Sequence, residues 1–265
     1  MRNWRWLLSL VLAGSMAVAG SGASAQDTLK VAIGQLGLWA VDAPRLGQRA
    51  GIFKKHGLVL DIFGTSGGGD TLQAVISGSA DLTVGIGTAA VLRAYSKGAP
   101  IRVIGANFTG AGDLYWYVRA DTPIKRLTDA SDKTTIGYSA SGSSSHNVVL
   151  AFLQELGVKA TPTATGTQPA TLTQVMSGQI DIGWSAPPFG LKESAEGKIR
   201  IIANGNDVPS LRSQTVRVDM VNADVLQGPQ GRAVAFRARL PRDFGLDVFQ
   251  SGRRQNLCRG NECAA

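Results

Sequence analysis

TLQAVISGSADLTVG (71–85) is written again one hundred positions on, as TLTQVMSGQIDIGWS (171–185). Thr, Leu, Val, Ser, Gly and Asp recur at the same places. The match extends beyond these stretches, since IRVIGAN (101–107) answers to IRIIANG (199–205). The period is too long for a solenoid repeat and is about the size of a small domain. Each copy runs helix, Ser-Gly turn, Asp-led apolar run, loop, helix, basic residue, apolar run. Two similar α/β lobes are the economical reading.

Around the repeat, apolar strands alternate with helices of about ten residues, the pattern of parallel sheets joined by crossovers. LKVAIG (29–34), LVLDIF (58–63), DLTVGIG (81–87) and IRVIGANF (101–108) read as strands of one lobe. PRLGQRAGIFKKHG (44–57) reads as one helix between the first two. Asp70 reads as the N-cap of the helix TLQAVISG. In the other lobe, TTIGYSA (134–140), Val158 to Thr165, IDIGWS (180–185) and KIRIIANG (198–205) read as strands, and HNVVLAFLQELG (146–157) as an amphipathic helix. LYWYVRA (114–120) is placed as the strand crossing between lobes, and QTVRVDMVNADVL (214–226) as the return to the first. The crossings near 107–116 and 203–216 make a hinge without a long linker.

The chain opens with Arg2 and Arg5, an apolar run from Trp6 to Gly20, and Ala23-Ser24-Ala25. This is the anatomy of a secretory signal peptide, with cleavage expected after Ala25. The apolar run is short for a membrane span, and Ser15 stands where a lipid-bearing Cys would be needed. The division that follows is 1–25 signal peptide, 26–110 first lobe, 111–205 second lobe, 206–227 return segment and 228–265 an atypical tail.

The formal charge of +8 dissolves on partition: the signal carries +2, the tail +4 and the body the remaining +2. A weakly charged body with few aromatics offers no face to track a nucleic acid. The tail's basic residues are all Arg, and it holds both cysteines, Cys258 and Cys263. In an exported protein these can form a disulfide; two thiols without a nearby His fall short of a metal site. The preferred reading is different. Back-translated with permissive codons and read one nucleotide later, the tail becomes ordinary amphipathic helix, which marks it as a frameshift product lacking its natural C-terminal helices.

Ligands of open parallel sheets bind beyond the carboxyl ends of the strands. The loops there read QLGLW, GTSGGGD, GIGT, SASGSSS, GTQP and WSAPP. They are small and lack Lys and Arg, and several open into helix N-termini, whose free N–H groups and dipole favour an anion. Gly67, Gly68 and Gly69 allow a ligand close to the main chain. Ser66, Thr88, Ser141, Ser143 and Ser144 add hydroxyl donors. The oxyanion would be held by dipoles rather than ion pairs. Trp39 and Trp184 either wall the cleft and stack on a ligand or pack in the core or hinge; Pro187 stiffens its loop. Gly64-Thr65-Ser66-Gly67-Gly68 fits the hydrolase G-x-S-x-G after a strand. The chain has only His56 and His146 to serve as base, and His146 belongs to the other lobe with no acid partner in view. No catalytic residues, metal ligands or cofactor motifs are assigned.

LGQRAGIFKKHGLVLDI, GTSGGGDTLQAV and SGSADLTVGIGTAAVLRAYSKGAPIRVIGA, behind a signal peptide, resemble the nitrate/sulfonate/taurine-type solute-binding proteins of bacterial ABC importers, from about residue 28 to about 227. The resemblance implies an α/β, two-lobed periplasmic-binding-protein-like (type II) fold, each lobe a mostly parallel sheet flanked by helices, with a cleft between lobes. It implies a non-enzymatic receptor in the periplasm, a monomer that takes a small anion and delivers it to a membrane permease. The ligand residues it implies are Leu38, Trp39, Ser66, Gly67, Gly68, Gly69, Gly87, Thr88, Ser141, Gly142, Ser143, Ser144, Trp184 and Pro187. An enzyme of a biosynthetic pathway on the same fold, or a receptor for an aromatic or pyrimidine-type ligand, are the alternatives. Such proteins also look longer, with helices bracing both lobes; losing several kcal/mol of apolar cover, at about 25 cal/mol per Å2, leaves a chain of marginal stability expected.

Overall fold

The recurring residues of the twin stretches carry matched structural tasks. In a computed structural model that describes residues 27–228 apart from position 56, the first copy forms helix α3 (Gly68–Ile76) and strand β3 (Leu82–Gly87). The second forms α6 (Gln168–Met176) and β8 (Gly183–Ser185). The hydroxyl of Thr71 bonds the Gly67 carbonyl at 2.9 Å and the Thr65 hydroxyl at 2.6 Å. That of Thr171 bonds the Thr167 carbonyl at 2.9 Å and the Thr165 hydroxyl at 2.7 Å. Val75 and Val175 are buried. Gly78 and Gly178 both take φ +76° just past the helix end, a conformation that costs glycine nothing. Asp81 accepts from the Lys30 N–H at 2.7 Å, and Asp181 from the Thr135 N–H at 2.8 Å. Each Asp thereby fastens its strand to the parallel strand beside it.

The first sheet comprises β1 (Asp27–Ile33), β2 (Leu58–Gly64), β3, β4 (Ile101–Thr109) and β10 (Thr215–Asn222), in the order β2-β1-β3-β10-β4. Only β10 runs against the others. The second comprises β5 (Tyr115–Arg119), β6 (Thr135–Tyr138), β7 (Thr161–Ala164), β8 and β9 (Ile199–Asn204). Pieces β8-β5-β9 and β6-β7 meet at a parallel bridge between Ile136 and Ile182. The order is therefore β7-β6-β8-β5-β9, with β5 the antiparallel member. Strand for strand this is the first sheet again. The late strand β10 completes the first sheet, so the chain crosses between lobes twice.

Helices α1 (Ala43–Arg49), α2 (Ile52–Lys55), α4 (Thr88–Ser96), α5 (Ser144–Glu155), α7 (Leu191–Ala195) and α8 (Ala223–Gln227) fill out the two halves. The single helix expected over 44–57 is in fact α1 and α2, separated at Gly51 with φ +72°. One further element differs: α3 starts at Gly68 with Gly67 as its N-cap, so Asp70 stands inside the first turn and is not the cap. In the second lobe Trp116 is fully buried, its indole N–H donating to the Gly137 carbonyl at 2.9 Å and its ring edge-on to Phe152 at 4.8 Å. Ile136, Val149 and Ile182 complete that core; Leu29, Val31, Ile33 and Leu82 form the core of the first.

The crossings are tied together. Asn206 accepts from the Ala111 N–H at 2.8 Å, Gly110 donates to the Gln214 carbonyl at 2.8 Å, and Gly205 to that of Leu114 at 2.9 Å. The signal segment, His56 and the tail with Cys258 and Cys263 lie outside the described residues.

Candidate functional site

Where the carboxyl ends of the two sheets face each other, a cavity of about 70 Å3 lies between the lobes. Three helices begin at its wall. Gly67 and Gly68 open α3, Gly87 precedes α4, and Ser143, Ser144 and Ser145 form the start of α5. The N-caps of α3 and α4 are glycines whose caps make no side-chain bond. First-turn N–H groups have no carbonyl within their own helix, so the uncapped start of α3, whose Gly67 and Gly68 line the cavity, presents donors and partial positive charge to that space. Across from them, Ser143 caps α5 by accepting the His146 N–H at 3.1 Å, and the Ser139, Ser143 and Ser145 hydroxyls form a chain with 3.0 Å links.

A charged side chain, held in an ion pair, stands beside these dipoles. Arg217, from the return strand β10, lines the cavity and is 4% exposed. Its guanidinium pairs with Asp113 and lies 4.6 Å from the centre of the Phe108 ring. The Arg217 Nε–H has no hydrogen-bond partner, nor has Asp113 Oδ2. Two further lining residues each hold a buried atom without a partner: the Thr83 hydroxyl and Gln35 Oε1. Unpaired buried polar atoms are costly, by about 1–3 kcal/mol each, and three around one cavity give it a polar character that its apolar lining residues Leu38, Val41 and Leu114 do not. The loops lack Lys and Arg, and the cationic side chain at the cavity, Arg217, comes instead from a strand between two others and is paired with Asp113.

Of the fourteen residues expected at the site, Leu38, Gly67, Gly68, Gly87, Ser143, Ser144 and Trp184 line the cavity. Trp184 is buried and its indole N–H donates to the Thr165 hydroxyl at 3.1 Å. The other seven do not line it. Trp39 is 66% exposed and meets the opposite lobe through its main chain, its N–H donating to the Pro187 carbonyl at 3.1 Å. Ser66 and Ser141 are exposed. The Thr88 hydroxyl donates to the Thr215 carbonyl at 2.6 Å. Gly69 and Gly142 stand where the lobes approach: a Cβ on Gly69 would lie 3.7 Å from the Ser141 carbonyl oxygen, and one on Gly142 3.6 Å from Arg93 Nη2. Ser66 is exposed and is not among the cavity-lining residues.

Sequence reasoning missed Thr71, Thr83 and Arg217 as cavity residues, whereas Gln35, Ser139 and Ser145 belong to loops it placed at the site without singling them out. Arg217 had a signal. In TVRVDMV, Arg217 and Asp219 interrupt a strand that pairs on both sides, where a charge must have a buried partner.

His146 sits beside this wall. Its Nδ1 accepts the Gly142 N–H at 3.1 Å and its ring packs on Tyr138. Burial, and then the nearby Arg93 guanidinium from the other lobe, hold its pKa below the usual histidine value. The imidazole is thus kept neutral, as an acceptor from Gly142 must be.

Two α/β lobes of like topology, joined by two crossings and enclosing a polar cavity, define a protein of the periplasmic-binding fold. The NMT1/THI5-like family model matches residues 46–209, and the chain belongs to that family. A solved structure from Bordetella bronchiseptica RB50 is 25% identical, with TM-score 0.65, the match covering 80% of this chain and 69% of that one. The alkanesulfonate-binding protein SsuA from Xanthomonas axonopodis pv. citri, bound to MOPS, is 20% identical at TM-score 0.65, covering 88% and 78%. The periplasmic aliphatic sulphonate binding protein SsuA from Escherichia coli is 18% identical at TM-score 0.62, covering 85% and 71%. No curated protein matches significantly. Among the described residues, no helix is long and apolar enough to cross a membrane.

Proposed function

We propose that this protein is the substrate-binding component of an ABC importer: it captures a small anion of the nitrate, sulfonate or taurine kind between its lobes and delivers it to a membrane permease. The observation that carries the reading is the meeting of the uncapped start of α3 with Arg217, whose Nε–H is unpartnered, at one interlobe cavity. Donors and positive potential converge there from fixed elements, which is how an anion is held without moving the protein's own charges. The fold shared with two sulfonate-binding proteins supports the choice of anion class.

In this reading the protein works in the periplasm as a monomer, after cleavage following Ala25. Leu38, Gly67, Gly68, Gly87, Ser143, Ser144 and Trp184 contact the guest, together with Gln35, Thr83 and Arg217. Trp39, Ser66, Gly69, Thr88, Ser141, Gly142 and Pro187 form the rim and the closing contacts. The segments near 107–116 and 203–216 act as the hinge, and the guest's preference for the closed form drives closure. Chemistry at a bond plays no part.

The test is isothermal titration of folded protein against nitrate, taurine and alkyl and aryl sulfonates. Saturable binding by at least one is expected. Silence across the panel from a folded sample defeats the anion reading and points to an aromatic or pyrimidine-type guest against Trp184.

A further inference from the structure

The cavity contains one atom that an anion alone does not satisfy. Gln35 sits just beyond β1, and its Nε2 donates to the Gly166 carbonyl of the opposite lobe at 3.4 Å. A carbonyl can only accept, so the amide's nitrogen faces Gly166 and its oxygen is the end left over. That oxygen, Gln35 Oε1, is buried without a partner in a residue that lines the cavity. It can only accept. Arg217 Nε–H can only donate, and the Thr83 hydroxyl can do either. Nitrate or a plain alkanesulfonate brings acceptors only. It would satisfy Arg217 and the start of α3 and leave Gln35 Oε1 unpaired.

We infer that Gln35 is a specificity-determining residue, selecting guests that carry an N–H or O–H donor as well as the oxyanion. This rests on the proposed binding function and deepens it. Chemically the guest is a short-chain oxyanion bearing an amine or hydroxyl. The bond to Gly166 crosses the cleft, so the amide is oriented only once the lobes have met. Discrimination therefore belongs to the closed state, and the wrong guest is released because closure is not rewarded. A site built to hydrogen-bond a substrate group rejects the analogue lacking it more strongly than an apolar pocket rejects an added one.

The experiment compares ethanesulfonate, 2-hydroxyethanesulfonate and 2-aminoethanesulfonate by isothermal titration of the full chain, wild type and Gln35→Met. In the wild type at least one of the substituted compounds should bind about tenfold tighter than ethanesulfonate. In Gln35→Met that ratio should fall to about one, while the lost bond to Gly166 weakens all three compounds alike. Equal affinity of all three for the wild type overturns the role of Gln35 while leaving anion binding intact. A preference that survives Gln35→Met also overturns it. No binding of any compound by folded wild-type protein overturns both this inference and the function beneath it. Gln35→Leu is the second variant, read by the same ratio, should Gln35→Met not fold.

Discussion

Gly87→Ala separates closure of the lobes from stability of the lobes. Gly87 has φ −60° and ψ 120°, a conformation alanine adopts freely. Nothing in its own lobe obstructs a methyl group. The obstruction comes from across the cleft: a Cβ there would lie 3.2 Å from the Ser144 nitrogen, 3.3 Å from the Gly142 oxygen and 3.5 Å from the Ser143 carbonyl carbon. All three are backbone atoms and cannot swing aside, so the lobes must part by a few tenths of an ångström. Overpacking of this sort costs about 1–3 kcal/mol. The cost falls on the closed state alone, so affinity should weaken by about 5- to 150-fold. Within the lobe, two small effects oppose each other. Alanine is a poorer N-cap than glycine, by up to about 1 kcal/mol, whereas it stiffens the unfolded chain by about 0.4–1 kcal/mol. The ligand-free melting temperature should therefore move by no more than about 4 °C. Gly67→Ala is the control. Gly67 has φ 156° and ψ −179°, a region essentially closed to other residues at about 1–3 kcal/mol, and its Cβ would lie 3.0 Å from that of Ala140. That variant should lose both stability and affinity. Calorimetric melts and titration with whichever anion binds give both quantities. If Gly87→Ala lowers the ligand-free melting temperature and leaves affinity untouched, the close approach of the lobes is not the liganded state.

Arg217→Met leaves the mostly buried Asp113 carboxylate without its partner and should destabilise the fold by about 3–5 kcal/mol in urea titrations; Arg217→Met with Asp113→Leu should recover most of that stability and still fail to bind anions. Because His146 has a lowered pKa in the folded protein, the unfolded chain binds more protons, so stability should be flat above about pH 6.5 and decline as pH falls below it. Arg93 lies on the other lobe, so affinity should decline in the same window, and His146→Gln should flatten both profiles. Thr71→Val and Thr171→Val remove matching hydroxyls and should cost similar stability, about 1 kcal/mol or more; only the first should weaken binding, since Thr71 lines the cavity. Asn206→Ala should release the Ala111 N–H and speed its hydrogen exchange while the core amides of β5 keep their protection.

The lobes were legible because a repeat constrains two places at once. Thr, Val, Gly and Asp recur one hundred positions apart since each must bridge to a loop, fill a core, turn a helix end or fasten a neighbouring strand, and these tasks leave few substitutes. The strand order was less accessible. That β5 and β10 each run against their sheets depends on the chain crossing twice, a tertiary fact that local periodicity does not encode. The start of α3 was misjudged for a local reason. Asp is a favoured cap, so Asp70 drew the boundary to itself, whereas the cap lies three residues earlier, at Gly67.

The site was half legible, and the reason lies in what glycine means. Gly67, Gly68, Gly87 and Gly142 permit close approach to the main chain, and the sequence does not say of what. At Gly142 and Gly87 it is the opposite lobe that approaches. The twin stretches offer a sharper criterion than glycine content, which is where they stop matching. Thr167 caps α6 with its own hydroxyl, accepting from the Ala170 N–H at 3.4 Å. At the matching position stands Gly67, which caps nothing, and the start of α3 lines the cavity while that of α6 contributes no lining residue. Architecture demands a Thr at 71 and 171 alike. It does not demand that one helix start be left unsatisfied, and a duplicated scaffold that satisfies the start in one copy shows that the other could have been satisfied too. The difference between the copies is therefore what selection for a guest has to act upon, and Arg217 and Gln35 complete the same space from outside the repeat.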